Sequence, residues 1–279
     1  MKVYNPKEKY DQLIVDGYCV VENVLKEEML TRLCSVTDEL LDAQTEDERA
    51  ANRSSGSMIS VYQHSLFAEL VVYPRALQAL DALGFLRPKW SSGYVISKPP
   101  QSPPLFWHQD WWGWNDPSSY TALPQQLFLM YYLVDTTTYN GCLRVIKGSH
   151  LKRHLLHDIL PSAHGAELQR VENPNHPAFQ HFSGEIDIPV NAGDLVIGDS
   201  RLLHASHGNQ SDERRTVITL WYHPFFALLP ASMQAHIGRL RQSFAWSDAD
   251  WERIAELAPV YEGDVEPTQW NRTPGPELK

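Results

Sequence analysis

The chain has 279 residues, 43% of them hydrophobic and 21% charged, which is ordinary for a soluble globular protein able to bury a large core. Its formal net charge of −10, from 24 Lys plus Arg against 34 Asp plus Glu, argues against nucleic acid or an anionic membrane as the main partner, since both need clustered cations. Three widely spaced cysteines (Cys19, Cys34, Cys142) form no CxxC pair, and the start of the chain is polar, so the expectation is a reducing, cytoplasmic setting without disulfides, signal segment or transmembrane helix.

In chain order, residues 6–16 read as a short helix, Asp16-Gly17 as a turn and residues 18–21 as a strand. Leu25, Met29, Leu33, Val36, Leu40 and Leu41 recur at helical spacing and predict an amphipathic helix over 26–43. Residues 44–58 turn polar and predict a mobile loop, and 65–83 reads as helix. From Trp90 onward, short aromatic and β-branched runs alternate with turn signals: 91–97, 105–111, 126–134, 142–146, 186–190, 194–199, 201–206 and 215–223. That rhythm predicts an antiparallel sandwich or barrel. Asn140-Gly141 predicts a hairpin turn, and Gly208 to Glu213 a hairpin loop. Residues 152–182 form an insertion, 230–258 returns to helix, and the Pro/Gly-rich last twenty residues are expected to be loosely ordered. The whole, 1–279, reads as one domain, mainly β with flanking α: a helical support over 1–89, a β core over about 90–225 and a helical extension over 226–279.

Two separated segments carry chemistry. His108 and Asp110 stand two apart in a strand-like run, so both side chains leave the same face, as adjacent ligands of a metal would. A hydrogen-bonded His–Asp pair is the plainer reading of that motif alone. At the end of another apolar run stands His204, and eleven residues past it comes Arg215, at the start of an apolar strand. An inward-facing Arg there requires an anion. A bound carboxylate or an internal Asp or Glu would serve. Two His and one carboxylate make a facial triad, which leaves open coordination positions and suits non-haem Fe(II). His207 competes with His204, and Arg214 with Arg215; the eleven-residue offset and the strand parity of Ser206 favour His204. His150, His154 and His157 share one helical face, where a capping or solvated role is preferred to zinc binding. Trp111, Trp112 and Trp114 follow the metal candidates directly, so at least one is expected to line the site. Asp135, Asp187 and Asp199 read as turn or supporting residues.

Taken together, four ordered blocks resemble the phytanoyl-CoA dioxygenase family of Fe(II)/2-oxoglutarate oxygenases. These are Asp16-Gly17-Tyr18 with Val20 to Val24; Lys98-Pro99-Pro100 with Trp107-His108-Gln109-Asp110; Asn140-Gly141-Cys142-Leu143-Arg144-Val145-Ile146-Lys147-Gly148-Ser149-His150; and Gly193-Asp194 through Arg215. The resemblance spans roughly 15–225. It implies a double-stranded β-helix (jelly-roll, cupin-like) core. It implies iron on His108, Asp110 and His204, with the distal carboxylate of 2-oxoglutarate on Arg215, helped by Ser206. It also implies consumption of O2 and release of succinate and CO2, with hydroxylation of a small molecule as the usual outcome. Asp110 argues against chlorination, since halogenating relatives lack the carboxylate ligand. The acidic, aromatic-rich chain suggests a natural-product or amino-acid-derived substrate. A jelly-roll enzyme using another metal without O2, a non-catalytic binding protein, and the choice between monomer and homodimer stay open.

Overall fold

The computed structural model describes residues 5–160, 165–238 and 246–279. Two antiparallel sheets face each other. The larger runs in the order β1 (Tyr18–Val21), β8 (Leu195–Asp199), β5 (Leu127–Tyr132), β10 (Arg215–His223), β3 (Lys89–Lys98), β2 (Ser57–Ser60). The smaller runs β4 (Leu105–His108), β9 (His204–Ser206), β6 (Leu143–Ile146), β7 (Glu185–Ile188). From β3 onward the chain crosses between sheets at every connection except β6 to β7, which is the winding of a jelly roll.

That winding overturns both expected hairpins. The Asn140-Gly141 turn leads from β5 in the larger sheet to β6 in the smaller, and 208–213 leads from β9 back to β10. The turn chemistry was read correctly, since Gly141 takes φ +100°. Local turn chemistry does not say which sheet the next strand joins.

Strand alternation builds two cores. Leu127, Leu129 and Tyr131 of β5, with Leu195 and Ile197 of β8 and Ile218 and Leu220 of β10, face a layer of helices. Phe128, Met130 and Tyr132, with Val196 and Val217, face inward against Leu143 and Val145 of the smaller sheet. A strand covered on both faces is apolar throughout, and all six residues of β5 are buried.

The helical layer comes from the first third of the chain. Helix α1 (Pro6–Asp16) is capped by Asn5 and ends at Gly17 in the left-handed conformation. Helix α2 (Glu27–Asp42) buries Met29, Leu33, Thr37 and Leu41 along one stripe. The loop expected over 44–58 is structured instead. It holds α3 (Glu46–Ala51), started by a Thr45/Glu48 capping box, and then β2, which pairs with β3. Gly56 (φ +94°) makes the bend between them. A Cβ there would meet Ser97 O at 2.0 Å. The helix expected over 65–83 divides into α4 (Leu66–Val71) and α5 (Pro74–Ala82), because Pro74 cannot continue the hydrogen-bond ladder but can open a new helix.

In the insertion lie α6 (Leu155–Ile159) and α7 (Ala166–Arg170); its residues 161–164 lie outside the described residues. The helix expected over 230–258 is observed as α8 (Ala231–Gly238) and α9 (Asp248–Arg253), with 239–245 outside the described residues.

The last twenty residues are irregular but tied down, against expectation. Asn271 N–H donates to Trp112 O (2.8 Å), Gln109 Nε2 donates to Arg272 O (2.8 Å), and Arg153 N–H donates to Lys279 O (3.0 Å). Leu278 is buried in the cluster of Trp111, Trp112, Trp114 and Met233. The anchors are mostly backbone groups, which composition does not display. Among the described residues no helix is long and apolar enough to cross a membrane.

Candidate active site

A cavity opens between the sheets. His108, at the end of β4, and His204, at the start of β9, are paired neighbours in the smaller sheet. Asp110 follows two residues past His108, its N–H bonded to Ser200 O (2.8 Å). The three donor groups lie within 4.8 Å of one another, and all three residues are buried.

Each imidazole has its tautomer set by the backbone. His108 Nδ1 lies 2.9 Å from Phe106 O, and His204 Nδ1 lies 3.0 Å from Leu202 O. A carbonyl only accepts, so Nδ1 carries the proton and Nε2 presents the lone pair. The Nε2 atoms point at Asp110, 3.6 Å from Oδ1 for His108 and 3.8 Å from Oδ2 for His204. Asp110 Oδ2 also accepts from Trp221 Nε1 (2.9 Å), which orients the carboxylate.

The opposite wall comes from β10. Arg215, Val217, Thr219 and Trp221 face the cavity in strict alternation. Arg215 is 3% exposed, its Nη2 donates to Ser206 Oγ at 3.5 Å, and its Nε has no hydrogen-bond partner among the described residues. Directly across the ladder sits Lys98, 0% exposed, donating to Ser54 O (2.6 Å) and Pro103 O (2.5 Å). Burial, and then the Arg215 charge, push the Lys98 ammonium well below its ordinary value; burial also lowers Arg215. Among the described residues neither cation has a carboxylate within 4.0 Å. Two buried like charges side by side are costly unless an anion meets them. A small dicarboxylate reaching from this wall to the His/Asp cluster would supply one.

A third cation arrives from the tail. Arg272 is largely buried, lines a small pocket with His108 and Gln109, and packs its guanidinium 4.9 Å from the Trp270 ring centroid. Among the described residues its Nε has no hydrogen-bond partner. Burial lowers its pKa, opposed by the Asp110 carboxylate.

The competing candidates lie elsewhere. His207 faces out of the sheet and bonds Asp187 (2.6 Å). Arg214 pairs with Asp42 and Asp38 on the surface. His154 caps α6, His157 meets it in a capping box, and His150 Nε2 lies 3.0 Å from Ile14 O. Asp199 forms a buried ion pair with Arg201 (2.6 Å), and Asp135 accepts from Ala192 N–H. Trp111, Trp112 and Trp114 do not line the cavity. They turn away from it and pack with Phe226, Leu229, Met233 and Leu278. The chain leaves strand geometry at Gln109, so alternation stops placing side chains beyond that point. Trp221 was missed, although its parity with Arg215 could have found it.

A jelly roll with a buried His-carboxylate-His cluster facing an unpaired guanidinium has the architecture of non-haem oxygenases that depend on iron and 2-oxoglutarate. The comparisons with known proteins agree. The profile of phytanoyl-CoA dioxygenase (PhyH) matches residues 14–217. The chain is 25% identical over 251 residues to an ectoine dioxygenase of Nocardia farcinica, covering 80% of this chain and 81% of that protein. It also resembles the epimerase SnoN in complex with Fe3+, alpha ketoglutarate and nogalamycin RO (TM-score 0.60, 21% identity, 96% of this chain and 97% of that one). HygX from Streptomyces hygroscopicus with nickel and 2-oxoglutarate bound is similar too (TM-score 0.59, 19% identity, 79% and 87% covered). The chain belongs to the phytanoyl-CoA dioxygenase family. It is a non-haem oxygenase using Fe(II), 2-oxoglutarate and O2, and its family acts on small molecules.

Proposed function

We propose that His108, Asp110 and His204 hold the iron and that Arg215, with Ser206 and the neighbouring Lys98, binds the distal carboxylate of 2-oxoglutarate. The observation that carries this reading is the pair of buried cations, Arg215 and Lys98, beside the cavity that the His/Asp cluster lines. Bound together, iron and 2-oxoglutarate would let O2 act as the oxidant, one oxygen atom entering succinate as 2-oxoglutarate loses CO2 and the other entering the substrate C–H bond.

The residues of the chain do the rest. Nδ1–H bonds to Phe106 O and Leu202 O hold both imidazoles in the ligating tautomer. Trp221 Nε1–H donates to Asp110 Oδ2 and would fix the rotation of the carboxylate that holds the metal. Met58, Ile96, Met130 and Val217 form an apolar wall that excludes water. The reaction we propose is hydroxylation of an amino-acid-derived or natural-product small molecule, carried out by the chain as one domain.

The test is anaerobic titration of the apo-protein with Fe(II) and 2-oxoglutarate, following the visible charge-transfer band of the chelate. The band is expected in the wild type and lost in Asp110→Ala. In Arg215→Ala, Fe(II) still binds but 2-oxoglutarate affinity falls at least tenfold, roughly the loss of one charge-assisted contact. Iron binding without a chelate band would sink the 2-oxoglutarate assignment.

A further inference from the structure

The outer face of the smaller sheet gathers three different metal-binding side chains. In the β6–β9 ladder Leu143 pairs with Ser206, and both line the cavity. The residues flanking them, Cys142 and His207, therefore face outward, joined by a His207 N–H bond to Cys142 O (3.1 Å). On the other side of β6, Asp187 pairs with Arg144 and shares that outer face. The sulfur of Cys142, a carboxylate oxygen of Asp187 and a ring nitrogen of His207 all lie within 4.8 Å of one another.

The geometry points to a second metal site, Cys142–Asp187–His207, that takes Zn2+ with water as its fourth ligand. A thiolate, an imidazole and a carboxylate match zinc's preferred donors, and three protein ligands plus water is an established zinc arrangement. Softness separates this site from the cavity: a thiolate donor selects zinc, while the His/Asp/His set has none. Three adjacent strands carry the ligands, so the site is assembled when the sheet forms. Cys142 is buried, His207 half-buried and Asp187 exposed, which gives a closed end and an open end.

Burial and the Asp187 charge push the Cys142 thiol up to about 11, opposed by the Ile188 backbone hydrogen bond and the Arg215 and Arg144 guanidiniums, so the metal must displace the thiol proton. A dication between Cys142 and Asp187 removes the repulsion from Asp187. The nearest competing charges are already engaged: Arg144 pairs with Glu185 (2.5 Å), and Glu185 also meets His181 (2.6 Å). Among the described residues, Asp187 has His207 as its only ion-pair partner. Binding would exchange the Cys142 thiol proton, released to solvent, for a metal–sulfur bond. No electrons are transferred.

Co2+ replaces Zn2+ as a probe, because a cobalt–thiolate bond gives an intense near-ultraviolet band that a site of imidazole and carboxylate does not. The full chain, reduced and stripped of metal, is titrated with Co2+. One equivalent per chain is expected to develop the thiolate band in the wild type and in His108→Ala, which breaks the cavity cluster. The band should vanish in Cys142→Ser and need at least tenfold more Co2+ in Asp187→Asn, an exposed change that leaves the fold intact. No thiolate band in the wild type, or a band that survives Cys142→Ser, overturns the site. Neither result bears on the chelate titration in the cavity.

Discussion

Asp110 is oriented by one hydrogen bond from outside the His/Asp/His cluster, the 2.9 Å contact from Trp221 Nε1. Trp221→Phe keeps the ring in the wall and deletes only the donor. Loss of such an outer partner weakens metal affinity roughly 10–100-fold, so anaerobic Fe(II) titration should show a decrease in that range. Unchanged affinity would show that Asp110 is oriented by the backbone alone. Arg201 acts differently. It is buried, pairs with Asp199 and donates to Ser119 O, Thr121 O and Leu123 O, fixing the bend that delivers His204. Burial would push the Asp199 carboxyl up, but Arg201 holds it below its ordinary value. Arg201→Met strands a buried carboxylate and should cost about 3–5 kcal/mol in urea unfolding; Asp199→Asn in the same chain should recover part of the loss. At this scale the grouping of His108, Asp110 and His204 was legible, because two of its members stand two apart in a run that reads as strand, although β4 ends at His108. The place of Arg272 was not, because nothing in an irregular tail signals that it lines a separate small pocket with His108 and Gln109.

Strand pairing sets how tightly the cluster is backed. Gly198 of β8 pairs with Phe128 of β5, and a Cβ there would stand 2.0 Å from the Phe128 ring. That ring in turn packs 5.0 Å, centroid to centroid, from the His204 imidazole. Gly198→Ala must therefore push Phe128 toward His204. Overpacking of this kind costs about 1–3 kcal/mol, and Fe(II) affinity should fall with it; Phe128→Leu added to Gly198→Ala should restore metal binding. If Gly198→Ala binds Fe(II) normally, the ring is displaced in another direction. The strands themselves were legible from aromatic and β-branched runs between turn signals, although the runs 105–111 and 201–206 outran β4 and β9 by three residues each. Their partners were not, as Asn140-Gly141 shows: a good turn signal joined two sheets instead of two paired strands. β2 escaped notice because Ser57 to Ser60 is too polar to stand out until Gly56 turns it against β3.

Across the molecule, acid sensitivity concentrates in two histidines far apart in sequence. His223 is fully buried with Nδ1 3.1 Å from Gln125 O, and His157 is a buried residue of α6; burial lowers both pKa values to about 4. In the unfolded chain each returns to about 6.5. Between those values the unfolded state binds more protons, so stability is full above pH 6.5 and falls as pH drops toward 4. The urea midpoint should decline across that window, and His223→Gln should flatten the decline; an equally steep decline in that variant would place the sensitivity elsewhere. The division of the chain between two sheets has one more consequence. The cluster of His108, Asp110 and His204 hangs from the smaller sheet, while Arg215 and Lys98 belong to the larger one. On the assignment proposed for them, a single small molecule must bridge the seam, so the spacing between sheets works as a ruler. A keto diacid one carbon shorter than 2-oxoglutarate could satisfy one sheet but not both.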